Sequence, residues 1–376
     1  MKTILVLGTG LVGQAMVRDL AGQFNVIASD LDLAKLAKLA NLHNVSIEQA
    51  DVTQADIFNS LAKKADLVLG ALPGFLGYQS VKRCIEAGKN MVDISFFPED
   101  PFGLDRLARD RGVSVITDCG VAPGMSNLIL GHFANEIQVQ NFRCLVGGLP
   151  SKREWPWQYK AVFSPIDVIE EYTRPARYVQ NGEMVVREAL SDPELINFDS
   201  IGTLEAFNSD GLRSLITTMK IPNMIEKTLR YPGTIEFLRM LRAAGFFNES
   251  KINVKGHKLS PIDFTAELVF PQWELPRGEE DFTIMRINIE GWIDDQKKAY
   301  QFDLLDKYDP ASQITSMART TGYTATAVMS LLADGQIDMP GVNPPELISK
   351  KNKHLPYILN YLQERGIRYA KSEYSW

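Results

Sequence analysis

Gly8, Gly10 and Gly13 form a G-x-G-x-x-G pattern directly behind the apolar run TILVL at residues 3–7, and Asp30 closes a second apolar run 22 positions after Gly8. Each residue type has a mechanical task in holding a dinucleotide. Gly8 permits a tight turn, Gly10 lets the backbone approach a pyrophosphate, and Gly13 lets a helix pack on a strand. The helix that opens at Leu11 and Val12 directs its free amides, with those of Gly8, Thr9 and Gly10, at the negative charge. Asp30 would accept hydrogen bonds from the adenosine ribose and repel a 2′-phosphate. Its neighbours Ser29, Leu31 and Asp32 supply no arginine, so the spacing predicts NAD rather than NADP.

A second group of polar residues lies in the middle of the chain. In EAFNSDGLRSL, Asp210 reads as a helix N-cap, which places Arg213 in the first turn. A cation there opposes the helix dipole, at a cost of about 0.3–1 kcal/mol when exposed. Together with the helix amides, such an arginine makes a carboxylate receptor; a solvated surface arginine is the alternative. Arg230 in TLRYPG is a candidate of the same kind. Farther upstream, Ser164, Pro165 and Asp167 signal a helix start, with Glu170, Glu171, Arg174 and Arg177 crowding its end, either as a binding cluster or as surface charge.

The elements that must position these groups follow from periodicity. TILVL, FNVIAS, VSIEQ, ADLVLG, NMVDI and VSVIT are six apolar strands separated by helical stretches, the pattern of an open parallel α/β sheet. Ligands sit at the carboxyl ends of such strands, which is where Asp51, Val52, Ala71, Leu72, Pro73, Asp93, Ser95 and Asp118 fall. Asp51 is placed either to meet the adenine amino group or to cap the next helix. The turn-rich DCGVAPGMSN puts Gly120, Val121 and Pro123 on an unusual backbone path, against a cofactor or as a hinge. Beyond residue 140 the strands lengthen and alternate: in 282–292 Met285, Ile287 and Ile289 face one way and Arg286, Asn288 and Glu290 the other, and DDQKK turns this run back into 298–308. The expected architecture is a Rossmann-type parallel sheet, residues 1–125 with a returning segment 310–376. A second α+β domain, 126–309, with a largely antiparallel sheet, is inserted between them.

Composition removes other chemistries. The 376 residues are 45% hydrophobic and 23% charged with net charge −6, ordinary for a folded protein and without the basic excess that nucleic acid requires. Cys84, Cys119 and Cys144 are isolated, and His43, His132, His257 and His354 have no metal-ligand spacing, so no metal site is expected. No apolar stretch reaches the ~20 residues of a membrane span and no signal-peptide pattern opens the chain, so a cytoplasmic location is expected.

The motifs GALPGFLG (70–77), NMVDISF (90–96), CGVAPGMSN (119–127), FSPIDVIEEYTRPARYVQNG (163–182), EAFNSDGLRSL (205–215), TLRYPG (228–233) and SMARTTGYTATAV (316–328) resemble the saccharopine dehydrogenase family, most of all its lysine 6-dehydrogenase-like branch. The resemblance implies a homodimer. Its activity would be NAD-dependent oxidation of the ε-amine of L-lysine to the semialdehyde with release of ammonia. A saccharopine dehydrogenase acting on a secondary amine and a non-catalytic NAD-binding sensor are the alternatives. The α-carboxylate is then assigned to Arg213, supported by Arg174 or Arg230, the α-ammonium to Glu171 or Asp210, and the vicinity of the reacting carbon to Tyr159 and Lys160. Relatives often carry histidine after YPG, where this chain has Thr234. With so few histidines, proton transfer falls to Asp, Glu, Lys, Tyr or water.

Overall fold

Six short, continuous apolar runs require a sheet covered on both faces. The computed structural model, which describes residues 1–162, 165–276 and 278–376, contains that sheet. Its strands are β1 (Thr3–Leu7), β2 (Asn25–Asp30), β3 (Val45–Gln49), β4 (Leu67–Gly70), β5 (Asn90–Asp93) and β6 (Ser114–Ile116), all parallel, in the order β3-β2-β1-β4-β5-β6. Helices α1 (Leu11–Leu20), α2 (Leu33–Ala37), α3 (Ala55–Lys63), α4 (Gly74–Glu86) and α5 (Asp105–Asp110) fill the crossovers, and α6 (Met125–Phe133) follows β6. Leu5, Leu7, Phe58, Val68, Val81, Ile85 and Phe97 form the core on one side. The chain order reverses between β1 and β4, and the loops after these two strands form the crevice in which ligands of such sheets bind.

The chain divides into two compact units. The first is Met1–Ile137 with Met317–Arg368, the second Gln138–Ser316 with Tyr369–Trp376. In the second unit the strands are β7 (Gln138–Pro150), β8 (Ala176–Gln180), β9 (Glu183–Arg187), β10 (Glu194–Phe198), β11 (Gly202–Asn208), β12 (Asn223–Arg230), the small pair β13 (Ile252–Val254) and β14 (His257–Leu259), then β15 (Asp281–Ile293) and β16 (Gln296–Lys307). Its helices are α7 (Pro165–Thr173), α8 (Leu215–Thr218), α9 (Thr234–Ala243) and α10 (Pro261–Trp273). The main sheet runs β10-β11-β12-β7-β15-β16, antiparallel except for β12 beside β7. In β15 the expected alternation is present, with Met285, Ile287 and Ile289 buried and Arg286, Asn288 and Glu290 half-buried. Asp294 and Asp295 turn the hairpin with φ of 45° and 63°. The hairpin β8–β9 turns on Asn181–Gly182, also at positive φ, an Asn-Gly signal readable from sequence.

The returning segment consists of α11 (Ser316–Ala333), β17 (Gly341–Val342), α12 (Pro345–Ile348) and α13 (His354–Glu364), and it ends in β18 (Tyr369–Glu373). β17 extends the parallel sheet beside β6. Helix α11 lies close on α1: a Cβ on Gly322 would stand 3.3 Å from Met16 and 3.5 Å from Val12. Asp19 of α1 binds α13 and α11 together, taking Arg365 Nε at 2.5 Å, the Tyr361 hydroxyl at 2.7 Å and the Thr326 hydroxyl. Three boundaries differ from those expected, the return segment joining the first unit at Met317 and not at residue 310. Helix α6 belongs to the first unit because it packs on α12, with Asn127 donating to Glu346 at 3.0 Å. β18 belongs to the second because it pairs with the edge strand β16. The Ser164 helix signal lies outside the described residues, and among the described residues no helix is long and apolar enough to cross a membrane.

The Asp19 hub gives a first prediction. Asp19→Ala leaves the half-buried Arg365 guanidinium without its carboxylate, and losing hydrogen bonds to a charged group costs about 1.5–3 kcal/mol. Urea unfolding should show a loss of that size; a change near zero would mean that the return segment is held by apolar packing alone.

Candidate active site

The crevice between β1 and β4 is built by close backbone approach. Gly8 has φ of +91°, and a Cβ there would lie 2.5 Å from the Ala71 carbonyl oxygen. A Cβ on Gly13 would lie 2.1 Å from the Gly8 carbonyl oxygen, so this glycine lets α1 close on the turn itself as well as on the sheet. Around Gly10, the N-cap of α1, space is open. Helix α1 carries no acidic residue in its first turn, so the amides at Leu11 and Val12 meet no competing carboxylate. This is the shape and charge that a pyrophosphate needs.

Asp30 has two tasks. One carboxylate oxygen accepts from the Thr9 amide at 2.6 Å and the Thr9 hydroxyl at 3.0 Å, and the other accepts from the Asp32 amide at 2.9 Å. It thereby ties the end of β2 to the glycine turn. Burial raises its pKa, but the Asp32 and Thr9 bonds and the positive charge of Lys35 outweigh that and hold it below the usual value. The oxygen that takes the Asp32 amide keeps acceptor capacity for a ribose hydroxyl, whereas the other is filled by its two Thr9 bonds. Lys35, which sequence reasoning passed over, is the basic group nearest this chemistry.

The other strand-end candidates separate into groups. Ala71, Leu72 and Pro73 are half-buried at the crevice, with Pro73 the N-cap of α4. Asp51 is not the cap of α3, which is Gln54. Its carboxylate accepts instead from the amide and hydroxyl of Thr53 and from Gln54. Val52 packs into the core and its carbonyl accepts from Arg83 at 3.0 Å. The 118–125 turn folds on itself, the Gly120 amide donating to Pro123 and Met125 donating back to Gly120, both at 3.0 Å. Gly120, Val121 and Pro123 thus shape the turn, and the Gly120 amide is not left over for a ligand. Asp93 is fully buried and turned onto Ser95, accepting its amide at 2.9 Å and hydroxyl at 3.1 Å. These two residues brace the strand end from within. Burial, reinforced by Asp118, pushes Asp93 up to about 7 from its ordinary 3.8 against the Ser95 bonds.

The second unit holds the charged residues, in an order sequence did not show. Arg230, at the end of β12, is 2% exposed, and it donates to Glu171 at 2.5 Å, to the Tyr172 hydroxyl at 2.9 Å and to the Leu229 carbonyl at 2.9 Å. Its guanidinium lies 4.3 Å from the centre of the Tyr159 ring. Arg230 is therefore the buried counter-ion of Glu171 and not an open carboxylate receptor. Burial raises Glu171 while Arg230 pulls it down. The Tyr159 hydroxyl, buried beside this pair, has no hydrogen-bond partner among the described residues. Lys160 is directed elsewhere, donating to the Gln272 carbonyl at 2.9 Å.

Asp210 is not an N-cap. Arg177 grips it through two side-chain bonds of 2.7 and 2.8 Å, a pairing that the sequence, which left Arg177 as binding cluster or surface charge, did not show. Arg213 lies before Ser214, the N-cap of the one-turn helix α8, with φ of +52°. The helix-dipole argument for it therefore fails, although it is buried on the same 209–213 loop as Asp210. Arg174 pairs with Glu170 one turn back at 3.0 Å. Thr234 opens α9, its hydroxyl 3.5 Å from the Trp157 carbonyl. Glu226 of β12 was missed altogether. It is buried 5% exposed beside Ser209 and Gly211, and only a charged residue in an otherwise strand-like run marked it.

Comparison with known proteins identifies the family and the fold. Residues 4–116 match the family model described as the saccharopine dehydrogenase NADP binding domain, and residues 120–367 that of the saccharopine dehydrogenase C-terminal domain. The mitochondrial alpha-aminoadipic semialdehyde synthase of Bos taurus is 26% identical over 98% of this chain, which spans about half of that protein (47%). The saccharopine dehydrogenase [NADP(+), L-glutamate-forming] of Schizosaccharomyces pombe is 24% identical over 98% of both chains. The fold is that of saccharopine dehydrogenase (L-Glu forming) from Saccharomyces cerevisiae, with TM-score 0.80 at 20% identity and 100% of each chain covered.

Asp93 yields a pH prediction. Because its folded pKa is raised, the stability it contributes is intact below pH 3.8 and is lost as pH climbs to about 7. Melting temperatures of the native chain should fall relative to Asp93→Asn across that window. Parallel curves would show that Asp93 is already ionised in the fold.

Proposed function

The chain belongs to the saccharopine dehydrogenase family, and on that premise we propose that it is a dehydrogenase that uses a pyridine nucleotide to oxidise the nitrogen-bearing carbon of an amino acid. The observation that carries the reading is the Gly8, Gly10 and Asp30 cradle, which meets the requirements of a dinucleotide, in one chain with Asp210 and Arg213 buried on one loop, a carboxylate and a guanidinium for a zwitterion. Within that class we propose NAD as the carrier, on the ground that the Asp30 carboxylate at the end of β2 would repel a 2′-phosphate. The donor we assign is the ε-amine of L-lysine. The relatives named saccharopine dehydrogenase support a secondary amine as the second reading.

A pyridine nucleotide held by Gly8, Gly10 and Asp30 would supply the hydride acceptor for the carbon next to nitrogen. The chain's own residues supply the rest. An ammonium group near pKa ~10.4 cannot release hydride from its carbon until it is neutral, so a proton must first leave it. Glu171, whose basicity burial raises, takes that proton, and the Tyr159 hydroxyl orients the nitrogen. Arg213 holds the α-carboxylate and Asp210, fixed by Arg177, the α-ammonium. Arg230 balances Glu171. The imine left behind adds water and expels ammonia or, from a secondary amine, the second amino acid.

Purified protein given NAD or NADP with lysine, saccharopine and other amino acids should reduce NAD in the presence of lysine. Turnover of saccharopine alone with NADP would overturn both assignments, and absence of turnover with every amine would leave a nucleotide-binding sensor. Asp30→Ala should weaken NAD by about 10–100-fold, the worth of hydrogen bonds to a charged group, with a smaller loss for NADP. Arg213→Ala should raise KM for the amino acid by a similar factor at unchanged nucleotide affinity; an unchanged amino-acid KM removes Arg213 from the site.

A further inference from the structure

Glu226 is a buried acid for which the mechanism above has no use. It projects from the middle of β12 on the face it shares with Thr228 and Arg230, whereas its neighbour Lys227 points to the opposite face and donates to the Asp192 carbonyl at 2.7 Å. Its carboxyl occupies the space where Gly211 lacks a side chain, since a Cβ there would lie 1.5 Å from Glu226 Oε2. The Gly211 amide donates to it, Ser209 Oγ lies 3.3 Å from Oε2, and that hydroxyl in turn stands 2.7 Å from Thr228 Oγ1. One side chain of β12 thus holds both sides of Asp210 and the start of the loop that ends at Arg213.

The charges that act most on Glu226 are acidic. Glu171 faces it from α7 and Asp210 from the loop, each already neutralised by its own arginine, Arg230 and Arg177. Cys144 of β7 stands at the paired strand position. Among the described residues no lysine or arginine pairs with Glu226. As a neutral acid Glu226 can donate to Ser209 Oγ, which then donates to Thr228, and it can still accept the Gly211 amide. As a carboxylate it would be an unpaired buried charge beside two others of like sign.

We propose that Glu226 is a positioning residue for the amino-acid substrate: protonated, it ties the 209–213 loop with Asp210 and Arg213 to β12, and on losing its proton it releases that loop. Burial, with Glu171 and Asp210 adding to it, pushes the group up to about 8 from its ordinary 4.5, so release falls in the mildly alkaline range. The loop, and not the nucleotide cradle, then becomes sensitive to pH.

The kinetic consequence rests on the function proposed above; the loop itself can be read without it. Amide hydrogen exchange of the 209–213 loop is measured in the full chain and normalised to the 294–295 hairpin turn. It should be slow and constant from pH 6 to 7.5 and accelerate severalfold by pH 9, while Glu226→Gln, which keeps the neutral form, stays slow throughout. Where an amine substrate is turned over, KM for it should rise up to tenfold per pH unit above about 8 in the native chain. In Glu226→Gln it should stay flat, with nucleotide KM unchanged in both. Superimposable KM profiles, or normalised exchange in the native chain that does not change between pH 6 and 9, overturn the proposal. The exchange measurement on the native chain decides even if the variant does not fold. Absence of any turnover, with the exchange transition present, overturns the function and leaves the role of Glu226 intact.

Discussion

A parallel sheet cannot leave either face bare, because its connections are helices and its strands are apolar on both sides. Most features of this chain follow from that constraint. The first 137 residues make six parallel strands, and α11 arrives from beyond residue 316 to lie on α1 with only a glycine between them. α12 packs on α6, and β17 lengthens the sheet. The same constraint sets where chemistry can occur. With both faces closed, only the strand ends are open, and the strongest opening is at the reversal between β1 and β4.

In the second unit a different constraint governs. Its sheet and helices bury several charges, and each has to be balanced where it lies. Arg230 with Glu171 and Arg177 with Asp210 are balanced by pairs whose geometry is fixed by further bonds, to Tyr172 in the first and to the Arg177 backbone amide in the second. Glu226 is balanced by a proton. A buried carboxyl between two occupied pairs lowers its energy by staying neutral.

Much of the fold was legible because periodicity reports burial directly. VSIEQ was placed at β3 to the residue, and the alternation around Ile287 identified the inward face of β15. The unit boundaries were less legible. Whether α6 and β18 join one sheet or another depends on partners more than 60 residues away along the chain, such as Glu346 for Asn127 and the β16 backbone for Tyr369–Glu373. The nucleotide cradle was legible for a similar reason to the strands, since Gly8, Gly13 and Asp30 act through local backbone geometry.

The sequence by itself marked the residues that could bind a dinucleotide, through the glycine spacing and Asp30 at the end of the second apolar run. Only the tertiary structure decided the charges of the second unit. That Arg230 faces inward to Glu171, that Asp210 is held by Arg177 rather than capping a helix, and that Arg213 stands before α8 are matters of pairing across strands and helices. The physical reason is range. A turn glycine or an apolar period expresses itself within a few residues, whereas an ion pair has no local signature until the fold brings its partners together.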